Sequence, residues 1–163
     1  MEYIDVYDAQ KRKTGAIKVR GEKPLEGEHF LVVHVGVINS ERKLLIQQRS
    51  KEKAQFGGVW DLSAGGFAQA GETSDEAVRR ELREEIGIEA GEDLHFLFTE
   101  PFHMIFDDMY VLKRDVQLQE LVLQKGEIDQ VSWAACEEVI EMIRSGSFVD
   151  YPEECIWKLF KQE

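Results

Sequence analysis

The sequence is short of positive charge. Its 20 Lys and Arg residues are outnumbered by 32 Asp and Glu residues, which gives a formal net charge of −12. So acidic a chain is not expected to bind nucleic acid, because phosphate contacts need a surface rich in Lys and Arg. It is also repelled by an anionic membrane surface. If its ligand is a phosphate ester, a bound cation must therefore mediate the contact.

Cysteine, proline and long apolar runs are scarce as well. The two cysteines, Cys136 and Cys155, have no metal-type spacing, so we expect free thiols in a reducing compartment. No apolar run approaches transmembrane length, and the first residues, MEYIDVYDAQKRK, lack the apolar segment of a signal peptide. With three prolines and no linker-like tract, the 163 residues favour one cytoplasmic domain, 1–163.

Hydrophobic patterning predicts strands in the first part of the chain. Residues 1–26 contain two short strands, which we expect to form an N-terminal hairpin with a polar turn that ends at Gly15. The basic run at residues 11–13, KRK, is expected to be a solvated part of that turn. The stretch HFLVVHVGVI is almost entirely apolar, which is typical of a central strand buried on both faces. His34 within it is therefore interpreted as a core histidine.

The later segments predict further strands and two closing helices, the first of them in AACEEVIEMIRSG, where Gly146 is the stop. VWDLSAGGF is interpreted as a short strand that leads into a Gly-rich loop, and two strands are placed around Pro101. Residues 151–163 are predicted to be a C-terminal helix with Pro152 in its first turn. Its side chains expected to pack on the core are Ile156, Trp157 and Phe160. This order of elements indicates an α+β fold, with a mixed sheet flanked by helices.

A central helix is predicted between the Gly-rich loop and the later strands. Thr73, followed three residues on by Glu76, has the spacing of a capping box. Nothing from Ser74 to Ile86 interrupts a helix, and Gly87 is placed to adopt the left-handed conformation that ends one.

Three glutamates, Glu81, Glu84 and Glu85, crowd one side of this helix. At about 100° per residue they border the apolar stripe instead of lying opposite it, as a solvated acidic face would. Like charges one turn apart are destabilising, whereas a hard divalent cation such as magnesium binds carboxylate oxygens and leaves room for water and substrate phosphates. Arg80 lies beside Glu84 and could fix its direction through a charge-assisted hydrogen bond.

The same stretch, from Gly66 to Ile88, resembles the complete Nudix box. Its pattern is Gly, five residues, Glu, seven residues, Arg-Glu-Leu, one residue, Glu-Glu, one residue, Gly-Ile, with no departure at any specified position. The resemblance implies the Nudix α/β/α sandwich around a mixed sheet. It also implies hydrolysis of a nucleoside diphosphate linked to another moiety.

The resemblance further implies which residues form the site. The implied ligands of magnesium or manganese are Glu81, Glu84, Glu85 and the carbonyl of Gly65. Arg80 would orient these carboxylates and Glu72 would support them from the end of the loop. Gly66 and Gly87 occupy the glycine positions of the box and shape its backbone. Diphosphate cleavage suits such a site, because it depends on positioned cations and an activated water more than on covalent help from the protein.

A general base must come from outside the box if the box carboxylates are all bound to metal. Asp107 and Asp108 are one candidate pair, although adjacent strand residues face opposite ways and at most one can point inward. Glu127 is preferred, since it lies in a loop six residues before Trp133. In Nudix hydrolases a loop glutamate at a similar place often reaches the metal site as a ligand or base.

Two other functions remain open at this point. VWDLSAGGF and EIDQVSW also resemble isopentenyl-diphosphate isomerase, but the loop LSAGGFAQAGE has no cysteine at the place where that enzyme uses one. A non-catalytic ligand sensor on the same fold is the second alternative, which the intact set of box carboxylates disfavours. The pattern leaves open which nucleoside diphosphate derivative is the substrate and how many metal ions bind; a homodimer would fit the family.

Overall fold

The computed structural model describes residues 1–162, and its main feature is a seven-stranded mixed sheet. The strands are β1 (Tyr3–Tyr7), β2 (Lys13–Val19), β3 (Phe30–Ile38), β4 (Leu44–Arg49), β5 (Trp60–Asp61), β6 (Ala64–Phe67), β7 (Leu94–Phe102), β8 (Ile105–Lys113) and β9 (Ile128–Ala134). The helices are α1 (Ser74–Ile86), α2 (Cys136–Ser145) and α3 (Glu153–Phe160). The large sheet has the order β5-β4-β3-β8-β7, with β6 paired to β3 and β9 to β4. β3 and β8 are parallel, whereas the other neighbouring pairs are antiparallel.

The large sheet separates two hydrophobic clusters. Helix α1 covers one face, where the buried side chains include Val33, Val35, Val78, Leu82 and Ile86. Helices α2 and α3 cover the other face, where they include Val139, Ile140, Ile143, Ile156 and Leu159. Each fully buried aliphatic side chain of this kind stabilises the fold by about 1.5–3 kcal/mol. The predicted mixed sheet flanked by helices is therefore confirmed. Among residues 1–162, no helix is both long and apolar enough to cross a membrane.

The apolar stretch HFLVVHVGVI forms the central strand β3, as predicted. Its neighbours are β4 and β6 on one side and the parallel strand β8 on the other. His34 is a histidine of intermediate burial with a polar partner, since its Nδ1 lies 2.7 Å from Oδ1 of Asp107 on β8. The two cysteines are free thiols, as expected, and both are buried. Cys136 belongs to the hydrophobic cluster that α2 and α3 cover, and Cys155 is a buried residue of α3.

Two strand boundaries differ from the prediction. Gly65 and Gly66 do not lie in a loop but in β6, which pairs with β3 from Val32 to Val35. Strand β7 continues through Pro101 to Phe102, and the turn follows at residues 103–104. Glycine-rich and proline-containing segments are usually poor strands. Proline is tolerated here because β7 is an edge strand. Glycine is required in the short strand β6 because Glu81 and His34 occupy the space where a side chain would lie.

The C-terminal helix is shorter than the predicted segment 151–163. It spans Glu153–Phe160, and Pro152 precedes it as the N-cap residue instead of lying in its first turn. Ile156 and Phe160 are buried as expected, but Trp157 is 41% exposed and does not pack into the core. A helix this short buries only one narrow face, and Trp157 lies outside that face. The prediction for Glu163 lies outside the described residues.

The N-terminal strands β1 and β2 pair antiparallel in a separate sheet. Their turn lies at residues 8–12 and ends before Gly15, because the Asp8 carboxylate accepts hydrogen bonds from the backbone N–H groups of Gln10 and Arg12. The basic run 11–13 is solvated only in part, which corrects the prediction. Arg12 is exposed, but Lys11 forms an ion pair with Asp108 of the large sheet. Lys13 pairs with Asp5 of β1 and donates to the Glu72 carbonyl.

Candidate active site

Helix α1 begins and ends where its sequence predicts. The Thr73 hydroxyl accepts from the Glu76 backbone N–H at 3.1 Å, and the Glu76 carboxylate accepts from the Thr73 N–H at 3.1 Å. Gly87 adopts φ 72° and donates its N–H to the Arg83 carbonyl at 3.1 Å. These caps satisfy backbone groups at both ends and hold the register of the glutamates that lie between them.

Arg80 holds the carboxylates of the box together. Its Nε and Nη2 donate to the two oxygens of Glu72 at 2.7 and 3.0 Å, which is a bidentate pair. Its Nη1 donates to Glu81 at 2.9 Å and to Glu84 at 3.2 Å, and Nη2 also reaches the Phe67 carbonyl at 3.1 Å. One mostly buried guanidinium therefore neutralises part of a cluster of three carboxylates and sets their directions.

Glu85 is the most deeply buried carboxylate of the box, with 7% of its surface exposed. One of its oxygens accepts from the Gly65 backbone N–H at 2.9 Å, and the other lies 3.4 Å from the Gln47 amide. Burial raises the pKa of Glu85 to about 8, and repulsion from Glu81 adds to that rise. Burial likewise raises the pKa of Glu81 to about 7, even though Arg80 opposes the shift. The protein's own cations thus leave this pair undercompensated.

The two glycines of β6 make room for functional side chains. A Cβ added to Gly66 would lie 2.6 Å from Oε1 of Glu81, so any larger residue would displace that carboxylate. A Cβ added to Gly65 would lie 2.2 Å from Cδ2 of His34 in the neighbouring strand. Such distances are shorter than van der Waals contact allows. Gly66 therefore lets helix α1 bring Glu81 against the sheet, and Gly65 leaves room for the His34 ring.

A second polar layer lies beneath Gly65 and Glu85. Burial lowers the pKa of His34, but the neighbouring Asp107 outweighs it and raises that pKa to about 9. The His34 ring meets the Tyr151 ring edge to face at 5.4 Å, and the Tyr151 hydroxyl donates to Asp61 at 2.6 Å. This layer ties β3, β5 and β8 together directly under the candidate site.

The donor set fits a divalent cation. Among residues 1–162, no group of three or more His, Cys, Asp or Glu side chains already surrounds a common point. The reason is visible in the contacts, since Arg80 draws Glu81 and Glu84 towards itself while Glu85 accepts from Gly65. The available donors are nevertheless hard oxygens, as magnesium and manganese prefer. Glu85 is buried and Glu81 partly buried, with too little positive charge around them.

The loop that precedes Glu127 is bonded to the C-terminal end of α1. Two residues of its loop bond to the last turn of α1, because Gln124 donates its N–H to the Glu85 carbonyl at 2.9 Å and Val122 donates to the Ile86 carbonyl at 3.2 Å. The Glu127 carboxylate forms an ion pair with Lys53. Its role as ligand or base therefore stays a prediction.

The other candidate bases, Asp107 and Asp108, face opposite sides of β8, as strand alternation predicts. Asp107 pairs with His34, and Asp108 pairs with Lys11 at 2.7 Å. Asp108 also accepts from the hydroxyls of Thr99 and Ser74, at 2.6 Å each. Both carboxylates are thus committed to partners within the protein.

Sequence patterns did not reveal several residues that contact the box. Gln47 lies in an apolar strand, and the pairing of His34 with Asp107 joins residues 73 positions apart, so neither has a local signature. The strand register is the only signal for them.

We expect the metal-free protein to lose stability as the pH rises from about 4.5 to about 8. In that window the unfolded chain has ionised Glu81 and Glu85, whereas the folded protein retains their protons because its pKa values are raised. The folded state then binds more protons, and stability falls with pH. Thermal melts in a chelator at several pH values measure this. A stability contribution from this pair that increases over the window would contradict the burial of uncompensated carboxylates.

Comparison with known proteins agrees with this geometry. The NUDIX domain model matches residues 28–151. An uncharacterized Nudix hydrolase, lmo0368 of Listeria monocytogenes, is 40% identical over 152 residues, which cover 93% of this chain and 90% of that protein. Nudix hydrolase 3 of Arabidopsis thaliana is 32% identical over 151 residues, covering 84% of this chain and 20% of that protein.

A solved structure gives the same result for the fold. The crystal structure of DR0079 from Deinococcus radiodurans superposes with a TM-score of 0.82 at 26% identity, covering 98% of this chain and 100% of that one. The family model, the full-length relative and the arrangement of the box agree. This chain therefore belongs to the Nudix hydrolases, a family of pyrophosphohydrolases that generally use divalent metal ions.

Proposed function

We propose that this protein cleaves the diphosphate bond of a nucleoside diphosphate linked to another moiety, with magnesium or manganese held by Glu81, Glu84, Glu85 and the Gly65 carbonyl. The observation that carries the proposal is the burial of Glu81 and Glu85 beside two glycines with insufficient compensating charge. A divalent cation relieves that repulsion and supplies the positive charge that an acidic chain lacks for a diphosphate.

The bound cation would supply positive charge to the diphosphate oxygens and activate a water molecule. The protein's own part is positioning. Arg80 keeps Glu81 and Glu84 from separating, and it is itself fixed by Glu72. The Gly65 N–H holds Glu85 in one orientation. With the cation bound, these contacts would limit the movement of the carboxylates during reaction.

The experiment is an activity panel over nucleotide sugars, dinucleotides, nucleoside triphosphates and coenzyme A, with released phosphate or nucleotide as the readout. We expect at least one diphosphate-linked compound to be cleaved with magnesium or manganese present, and activity to vanish after exhaustive chelation. Saturating magnesium should also raise the melting temperature, because a ligand that binds the folded state stabilises it. Full turnover in chelator would overturn the metal assignment.

We expect Glu127→Gln to lower the maximal rate at saturating metal by more than about tenfold with little change in stability. A loop carboxylate can exchange its partner, and Lys53 is the partner that Glu127 would leave to reach bound substrate. The pH–rate profile should lose its acidic limb if Glu127 is the base. Glu120→Gln, an exposed residue of the same loop, is the matched control. Normal turnover of Glu127→Gln at every metal concentration would leave the base to another group.

The isomerase alternative needs a reactive thiol near the box. Cys136 and Cys155 lie in α2 and α3, whereas the box helix α1 covers the opposite face of the sheet. Burial raises the pKa of the Cys136 thiol to about 11 and that of Cys155 to about 12, so neither is poised as a thiolate. These observations favour hydrolysis. The sensor alternative predicts binding without turnover on the same panel, and a homodimer and a cytoplasmic location stay predictions.

A further inference from the structure

The N-terminal hairpin is hydrogen-bonded to residues 70–72, in the loop that leads into helix α1. The Tyr3 carbonyl accepts from the Ala70 N–H at 2.7 Å, and the Asp5 carboxylate accepts from the Gly71 N–H at 2.8 Å. Lys13 then bridges hairpin and loop. Its Nζ lies 3.0 Å from Asp5 Oδ2 and donates to the Glu72 carbonyl at 3.0 Å.

A continuous series of hydrogen bonds connects Lys13 to the carboxylates of the proposed metal site. Glu72, whose backbone binds Lys13, has its carboxylate fixed by the Gln69 N–H at 2.6 Å and by Arg80. Arg80 in turn donates to Glu81 and Glu84. A shift of the loop backbone at Glu72 would therefore move the partner that sets the direction of Arg80, and with it both carboxylates.

The hairpin lies outside the region that the family model matches, which begins at residue 28. The hydrogen bonds between the hairpin and the loop are therefore not part of the matched domain. Asp5 is mostly buried and accepts two donors through one oxygen, whereas Lys13 remains partly exposed. A single ammonium group links three elements, β1, β2 and the loop.

We propose that Asp5 and Lys13 are positioning residues, which hold residues 70–72 so that Glu72 and Arg80 keep the metal carboxylates in place. The proposal rests on the proposed metal site. Lys13 contacts Asp5 and the Glu72 carbonyl, so it acts through the loop backbone. Its loss should therefore weaken metal binding and loosen the loop while leaving the sheet and its two cores intact.

The test uses the full chain carrying Lys13→Met, with two readouts that do not depend on turnover. Hydrogen exchange of the peptide covering residues 68–73 should accelerate by about tenfold, because the amides there lose a brace against local opening. The dissociation constant for Mn²⁺, followed by electron paramagnetic resonance, should rise by about fivefold. Lys13→Arg should restore both values to within about twofold. Asp5→Asn should give the same loop exchange as Lys13→Met, and combining the two should add little.

Lys18→Met is the matched control, because Lys18 forms an ion pair with Glu28 elsewhere on the hairpin side of the molecule. Wild-type exchange and Mn²⁺ affinity in Lys13→Met would overturn the proposal. Equal changes in Lys18→Met would also overturn it, since the hairpin would then act only through its general stability. A wild-type protein that cleaves no compound on the panel counts against the proposed function, whereas the exchange result stands on its own.

Discussion

Glu85→Gln should reduce turnover by about 10²–10³-fold while the protein stays folded. Gln keeps the shape of the side chain and can still accept from the Gly65 N–H, but it lacks the charge that a divalent cation requires. Glu81→Gln should behave similarly, because its carboxylate lies against Gly66 in the same cluster. Steady-state kinetics at saturating magnesium or manganese, on the substrate found by the activity panel, measure the effect.

The same variant makes a second, opposite prediction for stability. Because the pKa of Glu85 is raised to about 8, the metal-free wild type is penalised progressively above pH 4.5, whereas a neutral Gln is not. Glu85→Gln should therefore match the wild type at low pH and melt at a higher temperature near pH 8. Glu41→Gln, an exposed glutamate far along the chain, is the control and should change neither property. Wild-type turnover in Glu85→Gln would remove this residue from the metal site.

Lys11→Met should lower the free energy of unfolding by about 3 kcal/mol, because it leaves a buried carboxylate without its cation. Asp108 is 1% exposed and forms its ion pair with Lys11 at 2.7 Å. It also accepts from Ser74, the first residue of α1, so the pair joins the hairpin turn, the sheet and the start of the box helix. Urea unfolding followed by circular dichroism measures the loss.

The neighbouring residue Arg12 provides the control. Its ion pair with Asp8 is exposed and belongs to the turn alone, so Arg12→Met should lower the free energy of unfolding much less than Lys11→Met does. The double variant Lys11→Met with Asp108→Asn should recover part of the loss, because the buried charge is then removed. If Lys11→Met unfolds at the same urea concentration as Arg12→Met, the buried pair does not stabilise the fold as inferred.

Local patterns predicted much of the fold because their causes are local. The capping box of Thr73 and Glu76 and the left-handed Gly87 depend on hydrogen bonds within a few residues. The burial of β3 follows from its apolar run. Predictions were wrong where contacts with other elements decided the secondary structure or the burial of a residue. Pro101 lies inside a strand because β7 pairs with β8 on one side only, and Trp157 is exposed because α3 has a narrow buried stripe.

The sequence alone carried the family and the chemistry of the site. The spacing from Gly66 to Ile88 places three carboxylates and one arginine on adjoining faces of a helix, and helix geometry makes those distances independent of the rest of the fold. The acidic composition likewise indicated that a phosphorylated ligand needs a cation. The family followed from the resemblance to the Nudix box, and the crowding of the carboxylates followed from helix periodicity and charge. None of these conclusions required knowledge of the tertiary contacts.

Only the tertiary structure decided how far the carboxylates of the site are buried and which residues bond to the elements around them. The pairs His34–Asp107 and Lys11–Asp108 join positions 73 and 97 residues apart, so they follow from sheet register and hairpin placement and not from local spacing. Burial raises the pKa of Glu85 although the hydrogen bond from the Gly65 N–H opposes that rise, and burial depends on how α1 packs on β6. Electrostatic interactions act through space and vary with the local dielectric. For that reason the charge pattern could be predicted from sequence, while its energetic consequences required the fold.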